Sequence, residues 1–302
     1  GLGRGLSLDL LVLTGVSMAV AAIPTGLPVV VTTVLSLGTS ELAGANAIVK
    51  RLTSTETLGS TSAICSDKTG TLTLNQMTVR EIIVAGHRFT VTGEGYSSQG
   101  DIRLVGDGGE VNIRPAFVAM ALDTDAVMDG DRLVGDPTEG ALIALAEKGG
   151  VDVRATREAF PRVAELPFDS AYKLMATFHR MADREEQPVI RAYVKGAPDV
   201  VLALCRAFRG PGGDAPLDDR TRQGVTAAAD DMASRALRVL AAATVPDADL
   251  DGGHEALAGR ATFLGLVGQM DPPRAGVAEA VAECRAASIR AVVVTGGQLA
   301  TG

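Results

Sequence analysis

The stretch best equipped for chemistry is Asp67-Lys68-Thr69-Gly70-Thr71-Leu72-Thr73. A short apolar run precedes it, with Ile64 as its last clearly apolar side chain, and reads as the end of a strand. The small polar residues that follow read as a loop. A carboxylate leaving a strand into such a loop is well placed to meet a phosphate. It can attack phosphorus, Lys68 can screen charge, and the amides and hydroxyls of Thr69, Gly70 and Thr71 can cradle phosphoryl oxygens. Gly70 lets the backbone approach closely. Taken alone, Asp-Lys-Thr-Gly fits a capped turn equally well.

Composition bounds what surrounds this stretch. The chain has 302 residues, 46% of them apolar and only 3% aromatic with no Trp, so Val, Leu, Ile and Ala must build the core. That length allows two or more domains. A formal charge of -8 argues against a nucleic-acid binder. Cys65, Cys205 and Cys284 lie far apart and match no metal spacing, which points to a reduced, cytosolic setting for most of the chain. Cys65 reads as a small packed hydrophobe.

No charged residue occurs from Leu10 to Ser40. At about 1.5 Å per residue this run is long enough for a helix to cross a bilayer. The alternatives are a buried core helix or a signal peptide, and the run lies far from a basic start. Pro24-Thr25-Gly26-Leu27-Pro28 interrupts it, because two prolines remove backbone donors. Unpaired carbonyls in lipid are costly, so such a break persists where protein buries it or an ion binds it. Lys50 and Arg51 follow the span and place its C-terminal side in the cytosol.

Further along, Val79 to Val91 reads as a hairpin turning at Gly86-His87, and Gly106-Asp107-Gly108-Gly109 as another turn. Helical patterns cover 114–128, 137–148, 197–205, 223–233 and 275–287. In the second of these, Asp136 caps and Pro137 takes the first helical position. Strand patterns cover 172–179, 189–195, 235–241 and 262–269, and 289–294 reads as a buried parallel strand. Residues 209–219 read as a Gly/Pro/Asp loop. The last strand, helix and strand imply a Rossmann-like sheet with Asp67 at the carboxyl end of a strand.

The run Asp67 to Thr73 resembles the phosphorylation signature of the P-type ATPases, and further motifs follow in the family's order. Ala21 to Pro28 looks like the fourth transmembrane helix of the type II, calcium-pump-like branch. The resemblance implies carbonyls of Ala21, Ala22 and Ile23, with Thr25, as ligands of the transported ion. Thr25 stands where the branch often has a glutamate, which leaves the ion open. Residues 46–50 and 56–59 resemble the stalk. Gly135 to Leu142 resembles a nucleotide-domain motif in which Glu139 helps hold adenine. By the same resemblance Phe168 stacks on adenine, Lys173, Lys195 and Gly196 line the pocket, and Arg238 lies near the nucleotide phosphates. Thr71, Asp271, Arg274, Thr295 and Gly296 belong to the phosphate site and hinge. Thr92-Gly93-Glu94-Gly95 is similar to an actuator-domain loop but sits in the wrong domain, and reads as a turn.

The resemblance implies an α/β fold: an incomplete haloacid-dehalogenase-like Rossmann phosphorylation domain, an inserted α+β nucleotide-binding domain and one N-terminal transmembrane helix. The segments are 1–45 (membrane helix and stalk), 46–77 and 269–302 (phosphorylation domain) and 78–268 (nucleotide-binding domain). It implies ATP and Mg²⁺ as cofactors, with Asp67 and Thr69 on the metal, and Asp67, Lys68 and Thr69 as the catalytic set. The partners implied are ATP, membrane lipid and an inorganic cation. The implied location is the plasma membrane with cytosolic catalytic domains. The sequence reads as the centre of a longer pump, with an actuator domain and further membrane helices elsewhere, so the isolated chain is expected to be inactive in transport. Gly297 stands where the family usually has a carboxylate. Two other readings remain at this point: a nucleotide-binding module without turnover, and a soluble haloacid-dehalogenase-type phosphatase. Thr69 occupies the place of the second Asp that such phosphatases usually carry.

Overall fold

The computed structural model describes residues 5, 7–23, 26–107, 111–130, 132–183 and 185–294. The expectations for Pro24, Thr25, Gly108, Gly109, Thr295, Gly296 and Gly297 lie outside the described residues. Contacts divide the chain into two units, 1–65 with 281–292, and 66–280 with 293–302.

In the first unit, α1 (Leu8–Ala21) starts at Ser7, whose hydroxyl accepts the Leu10 N–H, and α2 (Gly26–Gly44) follows. No residue of either helix is buried, although both are apolar all round. That pattern belongs to a helix surrounded by an apolar medium. By length and composition, Leu8–Gly44 is long and apolar enough to cross a membrane. The expected break falls where α1 ends: the Ala22 N–H reaches Met18 O at 3.0 Å, and the Ile23 N–H tightens onto Val20 O at 3.2 Å. The chain turns at Asn46 (φ +62°) and forms α3 (Thr53–Gly59), which packs on α2 with the Thr39 and Thr55 hydroxyls 3.4 Å apart. Strand β1 (Ala63–Asp67) then leads to the loop that follows Asp67.

The second unit is built on a sheet whose strands come from distant parts of the chain. In order, its elements are β2 (Thr78–Val84), β3 (His87–Val91), β4 (Ile102–Leu104), α4 (Arg114–Leu122), a small hairpin of β5 (Val127–Asp129) and β6 (Arg132–Val134), α5 (Pro137–Lys148) and α6 (Val153–Ala159). Then come β7 (Arg162–Asp169), β8 (Leu174–Ala182), β9 (Pro188–Gly196), α7 (Pro198–Leu204), β10 (Cys205–Gly210), β11 (Gly213–Pro216), α8 (Asp219–Ser234), β12 (Arg238–Val245) and β13 (Ala261–Met270). The main sheet runs β4-β3-β2-β13-β12-β9-β8-β7, and β10 pairs in parallel with the start of β13. Alternating side chains feed two cores. Tyr193, Ala242, Leu264 and Val267 face α4 and α5, while Ala192, Val194, Ala243 and Phe263 face α7 and α8. Helix α9 (Val277–Ala286) leads to β14 (Arg290–Val294), which pairs with β1.

Several sequence expectations need correction. The helix expected over 114–128 stops at Leu122, because Asp123 (φ -91°, ψ 54°) turns the chain. Arg157 then satisfies the carbonyls of Ala121, Thr124 and Ala126 with its guanidinium, a cation at a helix C-terminus. The loop expected over 209–219 contains the hairpin β10–β11, whose tight turn is clamped by the Arg209–Asp214 ion pair. β14 is largely exposed rather than buried, since β1–β14 is a separate two-stranded sheet. Cys65 is exposed, not packed.

Close packing makes one glycine indispensable. A Cβ on Gly149, at the end of α5, would stand 1.9 Å from the ring of Phe117, which is fully buried. Overpacking of this kind costs about 1–3 kcal/mol. Gly149→Ala is expected to lower stability by that amount in urea unfolding, and a midpoint equal to wild type would contradict this packing.

Candidate functional site

Asp67 ends β1 in extended conformation, is exposed, and its Oδ1 accepts the Thr69 N–H at 3.3 Å. Between Lys68 and Leu72 the backbone leaves helical geometry at Thr69 and at Gly70 (φ +74°). A left-handed residue suits glycine, so the loop's shape depends on Gly70. Thr69, Gly70 and Thr71 are exposed, as a phosphate cradle requires.

Behind the loop, two distant pieces of chain zip together. Leu74 N–H donates to Pro272 O (3.1 Å) and Arg274 N–H to Leu72 O (2.9 Å), with Thr73 bridged antiparallel to Pro273. The Thr73 hydroxyl donates to Asp271 Oδ2 and accepts the Gly70 N–H at 3.3 Å. Asp271 Oδ1 accepts the Gln76 N–H at 3.1 Å. The Arg274 guanidinium reaches Thr73 O (3.1 Å) and Gly70 O (3.0 Å). Asp271 and Arg274 therefore hold the shape of the Asp67 loop from behind. Thr73, at the centre of this lattice, went unnoticed as a site residue in the sequence.

The second cluster lies at one end of four neighbouring strands. Asp169 on β7 pairs with Leu174 on β8, Leu174 with Gly196 on β9, and Gly196 with Ala241 on β12. Phe168, Lys173, Gly196 and Arg238 therefore share that end. Phe168 is 66% exposed, an open ring face on a sheet edge. Lys173 adopts φ +53° in the β7–β8 turn, and a Cβ on Gly196 would stand 2.4 Å from its carbonyl, so only glycine fits there. Arg238 reaches the Thr138 hydroxyl at 3.4 Å, at the start of α5. Asp136 caps that helix as expected, accepting the Thr138 N–H at 2.7 Å.

Glu139 and Lys195 are more deeply engaged than the sequence suggested. Glu139 is buried, and its Oε2 accepts the N–H groups of Asp125 and Ala126, each at 2.9 Å. Its Oε1 accepts from Lys195 Nζ at 2.9 Å. Lys195 also donates to the backbone carbonyl of Asp123 and lies 3.9 Å from its carboxylate. Asp123 was not singled out in the sequence, where nothing distinguishes it from other helix-end acids. It is fully buried, and burial pushes its carboxyl up to about 7, with the nearby Lys195 charge opposing. A cavity of about 10 Å³ lies beside it, lined by Asp123, Lys195 and Leu142. The turn at 92–96 also touches the start of β2: Gly95 N–H donates to the Thr78 hydroxyl at 3.0 Å. Tyr96 lies over Gly140 on α5, and its phenol is pushed up by burial and by Asp136 and Asp271. On the other unit, Ala21 ends α1, Ala22 caps it and Ile23 is exposed; Thr25 is not among the described residues.

A strand end that gathers an open aromatic ring, a lysine and an arginine, in the same unit as a hydroxyl-rich aspartate loop, is an arrangement suited to a nucleotide-handling α/β protein. Residues 118–276 match the family profile described as P-type ATPase, cytoplasmic domain N. The chain is 42% identical over 286 residues to calcium-transporting ATPase type 2C member 1 of Bos taurus, covering 93% of this chain and 29% of that protein. It is 38% identical over 308 residues to calcium-transporting ATPase type 2C member 2 of Homo sapiens (100% and 31%). It is also 38% identical over 310 residues to a calcium-transporting ATPase of Bacillus subtilis strain 168 (100% and 34%). The chain belongs to the P-type ATPases, and spans about a third of the length of the curated relatives it matches.

The Asp123 carboxyl sets a pH dependence. Its folded pKa lies above the unfolded value of 3.8, so the folded state holds the proton more tightly. Its contribution is fully present below about pH 4, falls as pH rises towards 7, and is flat above. Asp123→Asn is expected to remove this slope from a stability-against-pH profile measured by urea unfolding. An unchanged slope would place the titrating group elsewhere.

Proposed function

We propose that this chain is the central part of an ATP-driven cation pump in which Asp67 forms an aspartyl phosphate. Support comes from the sharing of one strand end by Phe168, Lys173, Gly196 and Arg238, in the same unit as the Asp67 loop. Adenine stacks on the open ring of Phe168, a contact worth roughly 1–3 kcal/mol by analogy with base–aromatic pairs. Lys173 and Arg238 supply charge for the phosphates, Arg238 with a planar fork suited to phosphate oxygens. Gly196 keeps the pocket floor flat. Glu139 and Lys195 hold that floor to α5.

In the transfer step an Asp67 carboxylate oxygen bonds to the γ-phosphorus of ATP as the bond from that phosphorus to the bridging oxygen breaks, and ADP leaves. Thr69 and Gly70 amides and the Thr71 hydroxyl receive the phosphoryl oxygens. Lys68 screens the approach of two anions. Mg²⁺ prefers one or two carboxylates completed by phosphate oxygens and water. Asp67 and the Thr69 carbonyl alone make a poor metal site, so they would hold Mg²⁺ only with phosphate oxygens and water completing its shell. When bound there, Mg²⁺ would neutralise charge on the transferring group.

We read the Asp67 end of β1, with β14, as part of a haloacid-dehalogenase-like Rossmann phosphorylation domain. Its segments are 46–77 and 269–302, with 78–268 as the inserted nucleotide domain and 1–45 as membrane helix and stalk. Thr295 and Gly296 would complete the phosphate site. Phosphorylation would re-gate a cation site at the α1–α2 break, formed by carbonyls of Ala21, Ala22 and Ile23 with Thr25. The relatives named as calcium-transporting support an inorganic cation as the cargo. The location is the plasma membrane, with lipid around α1 and α2 and the catalytic parts in the cytosol. The actuator domain and remaining membrane helices would belong to the intact pump.

The test uses the intact protein and ATP labelled on the γ-phosphate. Wild type is expected to form an acid-stable, hydroxylamine-sensitive phosphoprotein, and Asp67→Asn none. Label retained by Asp67→Asn would overturn the reading. Phe168→Ala is expected to weaken ATP binding about tenfold. Tight nucleotide binding by wild type with no phosphoprotein would instead support a binding module without turnover.

A further inference from the structure

Strand β9 presents Arg191, Tyr193 and Lys195 on the same face, towards α4 and α5. Lys195 belongs to the nucleotide end. Arg191 and Tyr193 stand at the opposite end, across from the first turn of α4. There they line a cleft of about 500 Å³ together with Arg114, Arg209, Phe160 and Met181. All of these residues lie in the second unit.

The charges in this cleft are lopsided. Three guanidiniums line it with one carboxylate, Asp214, which Arg209 already engages through two N–H groups. Arg191 Nε is buried and has no hydrogen-bond partner. An orphaned donor on a charged group is costly, and here it is the Nε of a guanidinium whose other nitrogens reach, among the described residues, only the Tyr193 side chain. Tyr193 is nearly buried; its hydroxyl accepts from the Arg191 guanidinium and donates to the weak acceptor Met181 Sδ at 3.5 Å. Excess positive charge in a recess stands out in a chain of net charge -8. The cleft volume falls within the roughly 300–1,000 Å³ typical of small-molecule sites.

We propose that this cleft is a second ligand site, separate from the nucleotide pocket, that takes a small organic anion. A phosphate or carboxylate head meets the guanidiniums of Arg191 and Arg114, whose planar forks suit either group. An apolar body lies against Phe160 and Met181. The inference does not depend on Asp67 chemistry or on transport.

The test is calorimetric titration of the full chain in non-ionic detergent with phenyl phosphate, benzoate and phenol. At least one of the two anions is expected to bind, the tighter one identifying the preferred head group, and phenol is expected not to bind. Arg191→Gln and Arg114→Gln should each weaken the anion about tenfold or more, and Phe168→Ala should leave it unchanged. Arg114 is exposed at the start of α4, so its variant keeps the test valid if Arg191→Gln fails to fold. The proposal fails if neither anion binds, if phenol binds as well as they do, if Arg114→Gln binds like wild type, or if Phe168→Ala abolishes binding.

Discussion

The nucleotide unit depends on a buried ionic knot. Glu139 draws together the start of α5, the backbone after α4 and the end of β9, through two amides and the Lys195 ammonium. Each of these groups would be costly to bury alone. Together they satisfy one another, apart from the Asp123 carboxylate, which burial keeps near neutrality in charge preference. The knot is a poor general source of stability, because desolvation offsets much of the attraction. What it does provide is position: it holds the strand carrying Lys195 and Gly196 at a fixed height against α5, and so fixes where the open ring of Phe168 and the Arg238 fork stand.

The Asp67 loop is held by a different kind of bonding. Its carboxylate is exposed and makes one local amide contact, while the loop's rear carbonyls are tied to Arg274 and its Thr73 hydroxyl to Asp271. Reactive and supporting groups are thus separated. The front is left accessible and the back is saturated with hydrogen bonds, so the Asp67 carboxylate is both exposed and oriented.

Much of this was legible in the sequence where local chemistry decides the outcome. Asp136 and Pro137 announce the start of α5, Gly86 marks the β2–β3 hairpin, and the apolar runs at 172–179 and 189–195, split by a polar loop, announce the paired strands β8 and β9. The hydroxyl-rich run after Asp67 gave the loop, and the proline-bracketed break gave the end of α1. What stayed hidden was set by contacts between distant residues. Nothing near Asp123 signals that Lys195 and Glu139 will surround it. The carbonyls freed at the end of α4 are met by Arg157, more than thirty residues away. The β10–β11 hairpin was masked by glycine and proline that read as loop, although Arg209 and Asp214 stand opposite each other across its turn. Exposure of β14 and Cys65 could not be read from apolar composition, because partners, not hydropathy, determine what a two-stranded sheet covers.

The antiparallel join between Leu72–Leu74 and Pro272–Arg274 has a topological corollary. Paired strand residues lie about 5 Å apart, so the roughly two hundred residues between them leave and re-enter at almost one point. Such an insert is a cassette on a double-stranded stem. Its two ends are tied to each other by that pairing, so neither can shift without the other. A short peptide could close the stem on itself, or the host could lose the cassette without a gap in its own backbone.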